Sequence, residues 1–321
     1  MPGSSMPLVA QLKRWFLGSN LPNEYLCLKA NSLPDALRAI LVLGDVRIDV
    51  TDDHFLLGYK PLLLGISAFR GREVSAEAAG ATLELRAGSG RLVASLDLVQ
   101  VRHVRFGDDT LMIFEGRYGQ HEFLNRVRQA INRVYESRRA KPAGNVALEG
   151  NLYDQVRIGY AHPRVIAVIS LGEDERVNLF PTDLHGSFGD RHYASSLRIG
   201  GQACGQVQQL RRLVISTVDA SSFRSTYRLG KNHMRELTDI GHFEVAPFRS
   251  ATFDLPLPRD VLGYRELERI DGFDTGIHRI HFYQTVHRVF HPEEPAALAH
   301  VHRYYAQWRA DRGLSTPWLF R

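Results

Sequence analysis

From Arg279 to Phe290 the side chains alternate, with Ile280, Phe282, Val286, Arg288 and Phe290 on one parity and Arg279, His281, Tyr283, Thr285 and His287 on the other. A period of two is that of a β-strand with one packed face and one polar face. A strand this long needs partners, and further candidates precede it. Residues 155–160, 165–171, 197–199, 213–218 and 243–245 read as strands, with short helices around 206–212 and 222–229. Together these segments predict a small antiparallel barrel over residues 146–292.

The first half of the chain alternates as well. Ala81, Leu83 and Leu85 interleave with Thr82, Glu84 and Arg86, as in a half-solvated sheet. Residues 37–43, 46–50, the apolar run 55–66 and residues 91–104 read as further strands joined by tight turns. Within 121–138 the period lengthens. Phe123, Leu124, Val127, Ile131 and Val134 recur at helical spacing and predict an amphipathic helix that closes a separate α+β N-terminal domain, residues 1–140. Lys141 to Asn145, with a proline and a glycine between them, are expected to form a linker. Residues 8–17 are expected to be a loosely docked leader. The tail, 293–321, is expected to carry a helix over 293–309 with Leu298, His302, Tyr305 and Arg309 on one stripe.

Composition narrows the function classes. A chain of 321 residues, 44% hydrophobic and 23% charged, is ordinary globular material, long enough for two cores. No apolar run is long enough to span a bilayer, and Lys13 and Arg14 interrupt any signal-peptide core, so the expectation is a cytoplasmic protein without a membrane partner. The net charge of +5 is spread along the chain. Its densest group, Arg133, Arg138, Arg139 and Lys141, sits at a predicted helix end, where cations suit the helix dipole. No nucleic-acid-binding motif accompanies it, and no nucleic-acid partner is expected. Cys27 and Cys204 are too few and too far apart for a disulfide framework or a zinc knuckle. Of the fourteen histidines, His278, His281, His287 and His291 are close in sequence. His281 and His287 would lie roughly 20 Å apart on a strand, with His278 on its other face. His300 and His302 do not converge on a helix, and no His-Glu-x-x-His pattern is present, so no metal is expected. The glycine-rich dinucleotide fingerprint, the phosphate-binding loop of nucleotide hydrolases and the Gly-x-Ser-x-Gly elbow are all missing.

One segment concentrates chemistry. Directly after the strand 165–171 come Asn178-Leu-Phe-Pro-Thr-Asp-Leu-His-Gly186, nine positions holding an aromatic, a hydroxyl, a carboxylate and an imidazole beside a proline and a glycine. Alone it reads equally as an ordinary strand–loop junction. Three more segments follow in order: Tyr193-Ala-Ser-Ser-Leu-Arg198, Leu213-Val-Ile-Ser-Thr-Val218 and Tyr227-Arg-Leu-Gly-Lys-Asn-His233. In this order the stretch from Val165 to about Val289 resembles the flavin-reductase-like group of FMN-binding split-barrel proteins, in particular its flavoredoxin-like branch. The resemblance implies a mainly β fold, with an antiparallel Greek-key split β-barrel as the C-terminal domain. It also implies a homodimer with flavin near the subunit boundary, FMN as cofactor and NAD(P)H as co-substrate. The chain departs from the family's pattern after the strand 197–199, where Gly200-Gly201-Gln202-Ala203 replaces the usual Thr or Ser.

Binding FMN requires a slot for the ring, hydrogen bonds to its polar edge, and cations with hydroxyls or amides for its phosphate. Phe180 and Leu184 can wall the ring, with Asn178 and Pro181 in the same loop. Backbone amides from Thr182 through Asp183 to His185, and Gly186 beyond, can meet the polar edge. Ser195, Ser196, Arg198 and Lys231 can meet the phosphate. Gly200 and Gly201 can instead present amides as an anion nest. Other readings stand beside these. Asp183 can cap its own turn, Lys231 can be a solvated loop lysine, His233 a surface or helix-end residue and Ser216 a core hydroxyl. The expected function is an oxidoreductase passing hydride or electrons between NAD(P)H and flavin, with no assigned catalytic residue. The alternatives are a flavin-dependent electron carrier without a nicotinamide site and a non-catalytic scaffold whose pocket has decayed.

Overall fold

The computed structural model describes residues 16–19, 21, 23–33, 35–67, 80–138, 146–290, 297–314 and 318. The expected linker 141–145, residues 8–15 of the leader and residues 293–296 of the tail lie outside them.

The chain enters along β1 (Tyr25–Lys29) and builds a seven-stranded antiparallel sheet from β2 (Arg38–Leu43), β3 (Val46–Asp49), β4 (His54–Tyr59), β5 (Leu62–Ile66), β6 (Ala81–Arg86), β7 (Leu92–Phe106) and β8 (Asp109–His121). Their order is β3-β2-β6-β7-β8-β5-β4. In the expected apolar run 55–66 the residues alternate between two cores. Leu56, Leu62 and Leu64 join the large core on one face, while Phe55, Leu57 and Leu63 join a second core on the other. A strand buried on both faces reads as continuous apolar sequence.

The second unit is an eight-stranded antiparallel sheet. After the short β9 (Arg164–Val165) come β10 (Ala167–Glu173), β11 (Arg176–Thr182), β12 (His185–Phe188), β13 (His192–Arg198), β14 (Arg212–Val218) and β15 (Thr238–Asp239). A small hairpin of β16 (Val245–Arg249) and β17 (Pro256–Pro258) precedes the long β18 (Val261–Thr275) and β19 (His278–Phe290). The order is β12-β13-β19-β18-β14-β10-β11-β15. Only Asp183 and Leu184 separate β11, near one edge, from β12, the opposite edge, so the sheet curls on itself as a barrel. Its interior holds Ile169, Leu171, Phe180, Leu213, Ile215, Leu267 and Tyr283, plugged by Ala203, Cys204 and Val207 of the helix Gln202–Leu210.

The two sheets pack face to face. Phe188, Ala194, Ile280 and Phe282 on the outside of the barrel meet Phe55, Leu57, Leu63, Leu111 and Ile113 of the first sheet. His192 Nδ1 reaches Asp109 Oδ2 at 2.8 Å across the same seam. The last strand, β20 (Leu298–His302), lies between β1 and β9. The helix that follows it, Arg303–Ala310, sends Tyr304, Tyr305 and Trp308 into the core of the first sheet.

Several elements differ from expectation. Residues 298–302 are strand and not helix, because pairing with β1 and β9 on both sides outweighs local propensity. The helix of the tail is confined to Arg303–Ala310. Residues 155–159 of the strand expected at 155–160 lie in a helix, Leu152–Gly159, with Tyr160 as its C-cap, buried from Tyr153 to Gly159. Burial all round removes the helical periodicity that would mark it. Asn151 fixes its start, accepting from the Gly119 amide (2.6 Å) and donating to the Gly119 carbonyl (2.9 Å). The helix Arg126–Arg138 turns its apolar stripe outward. Val127 and Val134 are 70% and 49% exposed, whereas Asn132 and Glu136 are buried. Asn132 Nδ2 donates to Leu17 O at 2.9 Å, so a polar contact orients this helix and the apolar face is left to solvent. The barrel face of β19 expected to be polar is buried over His281 and Tyr283, while Val286 and Phe290 on the other parity are exposed. The strand expected at 243–245 is β16, Val245–Arg249.

Among the described residues no helix is long and apolar enough to cross a membrane. Phe282 is 1% exposed and touches the rings of Phe106, Phe188 and Phe273 at the seam. Phe282→Ala is expected to lower unfolding free energy by about 3–5 kcal/mol, read from the urea midpoint at constant slope.

Candidate functional site

The crossing from β11 to β12 is where sequence chemistry meets open space. Thr182 Oγ1 accepts from the Leu184 amide (3.2 Å), and Leu184 O accepts from the Ser196 amide of β13 (2.9 Å), so the turn is held at both ends. Pro181, Thr182, Asp183 and Leu184 line one wall of a cavity of about 610 Å³, within the range that holds small cofactors. Ser196 and Arg198 of β13, His278 of β19, and Lys231, His233 and Met234 of the segment Leu229–Met234 line the rest. Tyr59 of β4 belongs to the first sheet, so the cavity lies where the two units meet. Gly276, at φ +54°, lets the β18–β19 turn lie against the β4–β5 turn; a Cβ there would stand 2.3 Å from Lys60 O. Ile277 N–H donates to that same carbonyl at 3.2 Å.

The chemistry of the wall is uneven. Ser196 is 2% exposed and its hydroxyl has no hydrogen-bond partner among the described residues; His278 is fully buried and both its ring nitrogens lack one there too. Buried polar groups are almost always satisfied, so these two are groups that a ligand can satisfy. The His278 ring meets Tyr59 edge-on at 4.5 Å. Burial and the Arg198 charge hold its pKa at about 4, so the imidazole is neutral near pH 7.

A third feature is cationic. Gly201 is the N-cap of the helix Gln202–Leu210 and no side chain caps its first turn. Gly200, Gly201, Ala203 and Cys204 all line the cavity. An uncapped helix start presents amides and the positive end of the dipole to an anion. The Gly-Gly-Gln-Ala stretch that breaks the family pattern is therefore the start of a helix facing the cavity. Arg198 and Lys231, both exposed, stand at its rim.

Asp183 is the ionised group of the wall. Burial alone would raise its pKa, but the hydrogen bond from His300 Nε2 (2.7 Å) and that histidine's charge, with help from Tyr160 and His185, bring it down to about 2. His300 comes from β20, stacks on Tyr25 at 5.1 Å and meets the Tyr227 hydroxyl through Nδ1 at 2.9 Å.

Of the residues expected to contact flavin, Pro181, Thr182, Asp183, Leu184, Ser196, Arg198 and Lys231 line this one cavity. Five others do not. Asn178 is buried and its amide donates to Gln206 Oε1 (2.8 Å) and Asn232 O (3.1 Å), tying two walls of the cavity to β11. Phe180 is fully buried in the barrel interior. Ser195 bonds the Tyr283 hydroxyl (2.9 Å) in the same interior. His185 is bound by the Tyr193 hydroxyl (2.6 Å) and Val165 O (3.1 Å), and burial holds its pKa at about 4. Gly186 packs on Phe55, with room for no Cβ: one would stand 2.2 Å from the ring. His233, read as a surface or helix-end residue, lies near the end of the short helix Leu229–Met234, but it is partly buried and lines the cavity, its Nε2 donating to Pro181 O at 2.7 Å. Tyr59 and His278 escaped the sequence reading. His278 shares the packed parity of Ile280 and Phe282, a usable signal, whereas nothing local links Tyr59 to a site more than a hundred residues away. Among the described residues no group of three or more His, Cys, Asp and Glu could hold a metal ion.

No family model and no curated protein matches the sequence. The structure is similar over about half its length to solved FMN-binding proteins and flavin reductases. An FMN-binding protein from Thermus thermophilus, solved with p-hydroxybenzaldehyde, is 20% identical, with a TM-score of 0.40 over 52% of this chain and 93% of that one. An NADH:FAD oxidoreductase from Streptomyces globisporus is 12% identical, with a TM-score of 0.41 over 49% and 93%. The flavin reductase component of a bacterial two-component tryptophan halogenase is 15% identical, with a TM-score of 0.39 over 44% and 88%.

Burial also holds His281 at a pKa of about 3. In the unfolded chain His185, His278 and His281 take up protons near pH 6.5; in the folded protein they stay neutral until about pH 4 or below. The unfolded state therefore binds more protons in this window, and stability falls as pH drops from 6.5 toward 4, by up to about 1.4 kcal/mol per pH unit for each residue. The depressed carboxylates lose their contribution only below that window. A urea midpoint that declines between pH 6.5 and 4.5 is expected, and a flat profile would contradict the burial of these rings.

Proposed function

We propose that the cavity at the β11–β12 crossing binds FMN and that the protein is a flavin-reductase-like oxidoreductase passing hydride or electrons between NAD(P)H and flavin. The observation that carries this reading is the coincidence, in one cavity of about 610 Å³, of unpartnered buried polar groups with an uncapped helix start and two rim cations.

These residues fit the cofactor. Arg198, Lys231 and the amides after Gly201 would hold the phosphate by charge-assisted bonds and the helix dipole. Ser196 Oγ and the neutral His278 imidazole would meet polar atoms of the isoalloxazine edge without adding charge. Pro181, Leu184 and Met234 would supply apolar wall, and Tyr59 would close it from the first sheet. When bound, FMN supplies the hydride and electron chemistry. The protein's part is placement, exclusion of water and a fixed electrostatic setting, so no acid or base of this chain is required. The reading includes a split barrel with Greek-key connections, a homodimer, and a cytoplasmic setting. It also includes a division of the chain into residues 1–140, 146–292 and 293–321, with the first unit contributing Tyr59.

The test is spectroscopic. Freshly purified protein should be yellow and release flavin on denaturation, or should quench and shift added FMN on binding. Arg198→Ala and Lys231→Ala should each weaken FMN binding about tenfold or more, the loss of a charged hydrogen bond. Oxidation of NADH or NADPH with FMN present then separates a reductase from an electron carrier. Protein that neither carries nor binds FMN removes the reading, and unchanged affinity in both variants removes these side chains from the phosphate site.

A further inference from the structure

A second cavity, of about 340 Å³, lies behind the segment Leu229–Met234. That segment is a partition: Gly230, His233 and Met234 line the first cavity, Arg228, Leu229 and Asn232 border the second, and Lys231 borders both. The floor is apolar. Val168, Leu179 and Val218 are at most 1% exposed, and Leu229 and Phe243 complete it. The rim is cationic. Arg228, Lys231 and Arg235 border it and form no ion pair among the described residues; Arg259, also on the rim, is tied to Glu244 at 3.3 Å, and Asp260 is the other carboxylate of the lining, so the cations outnumber the acids.

Asn232 adds a directional group. It is 4% exposed, its Nδ2 donates to Leu179 O at 2.8 Å, and its Oδ1 is buried without a partner among the described residues. Unpaired cations over an apolar hollow, with a buried acceptor in the wall, are complementary to a compact ring or branched chain that carries one anionic head and one hydrogen-bond donor.

We infer that this cavity is a second small-molecule site, distinct from the proposed flavin site, for an amphipathic carboxylate or phosphate. The head meets Arg228, Arg235 and Lys231, the body lies on Val168, Leu179 and Val218, and a hydroxyl or N–H of the ligand donates to Asn232 Oδ1. Because Lys231 serves both cavities, an anion held here draws on a charge that the first cavity also uses, so occupancy of one site weakens anion binding at the other, reciprocally.

The experiment is calorimetric titration of the full chain with 4-hydroxyphenylacetate, its neutral amide and inorganic phosphate. The acid should bind, and the amide about tenfold or more weakly, since it lacks the charge for the rim. The double variant Arg228→Glu/Arg235→Glu should weaken the acid by at least about tenfold, with Arg228→Gln/Arg235→Gln as the milder pair should reversal disturb folding. Arg198→Gln, on the first cavity only and without a new anion beside Lys231, should leave the acid's affinity within about twofold. The inference is overturned if the acid does not bind, if it binds the charge-removed variants as tightly as the parent, or if Arg198→Gln carries the loss. Inorganic phosphate binding as tightly as the acid would overturn the role of the apolar floor.

Discussion

Two residues, Asp183 and Leu184, carry the chain from β11 to β12, from one side of the eight-stranded sheet to its opposite edge. That short step ties the two ends of the curled sheet together around an interior that runs from Ile169 to Tyr283. The same shortness leaves Thr182, Asp183 and Leu184 no room to fold back into the barrel, so they face the cavity. Closure and the candidate site are thus two results of one constraint, and the hydrogen bonds of Thr182 Oγ1 and Leu184 O hold both.

The first sheet is structurally part of the site. Its β4–β5 turn is held against Gly276 and Ile277, which places Tyr59 over His278. The aromatic seam of Phe55, Phe188 and Phe282 keeps the two sheets in register. A change in the seam is therefore felt in the cavity wall, because the strands carrying His278 and Ser196 are also seam strands.

Much of this was legible in the sequence where a strand has one wet face or the pattern is long. Alternation in β6 and β19 predicted strands, and the apolar run 55–66 read as strands, whose burial on both faces only the structure shows. Burial on every side erased the signal for Leu152–Gly159, and pairing across the whole chain overrode local preference at Leu298–His302. In the candidate site, the ordered segments bring seven of the expected residues to one cavity, and parity sorts which of them face it. Phe180 and Ser195 point into the barrel interior while Ser196 faces the cavity. Tyr59 joins them only through the packing of two sheets, which no local pattern encodes. Gly200 and Gly201 were ambiguous because a glycine pair serves a nest or a helix start equally well, and only the φ and ψ of Gly201, −90° and 143°, decide for a helix cap.

His300, the hydrogen-bond partner of Asp183, sits on β20, and β20 is held in place by β1. During synthesis the cavity's charged wall must wait: the ribosome has to pass His302 and release that segment before the carboxylate laid down more than a hundred residues earlier can meet its hydrogen-bond partner. A nascent chain stalled between Phe290 and Leu298 would leave the edge of β1 that β20 pairs with open and Asp183 without His300, and an open strand edge is where chains associate wrongly.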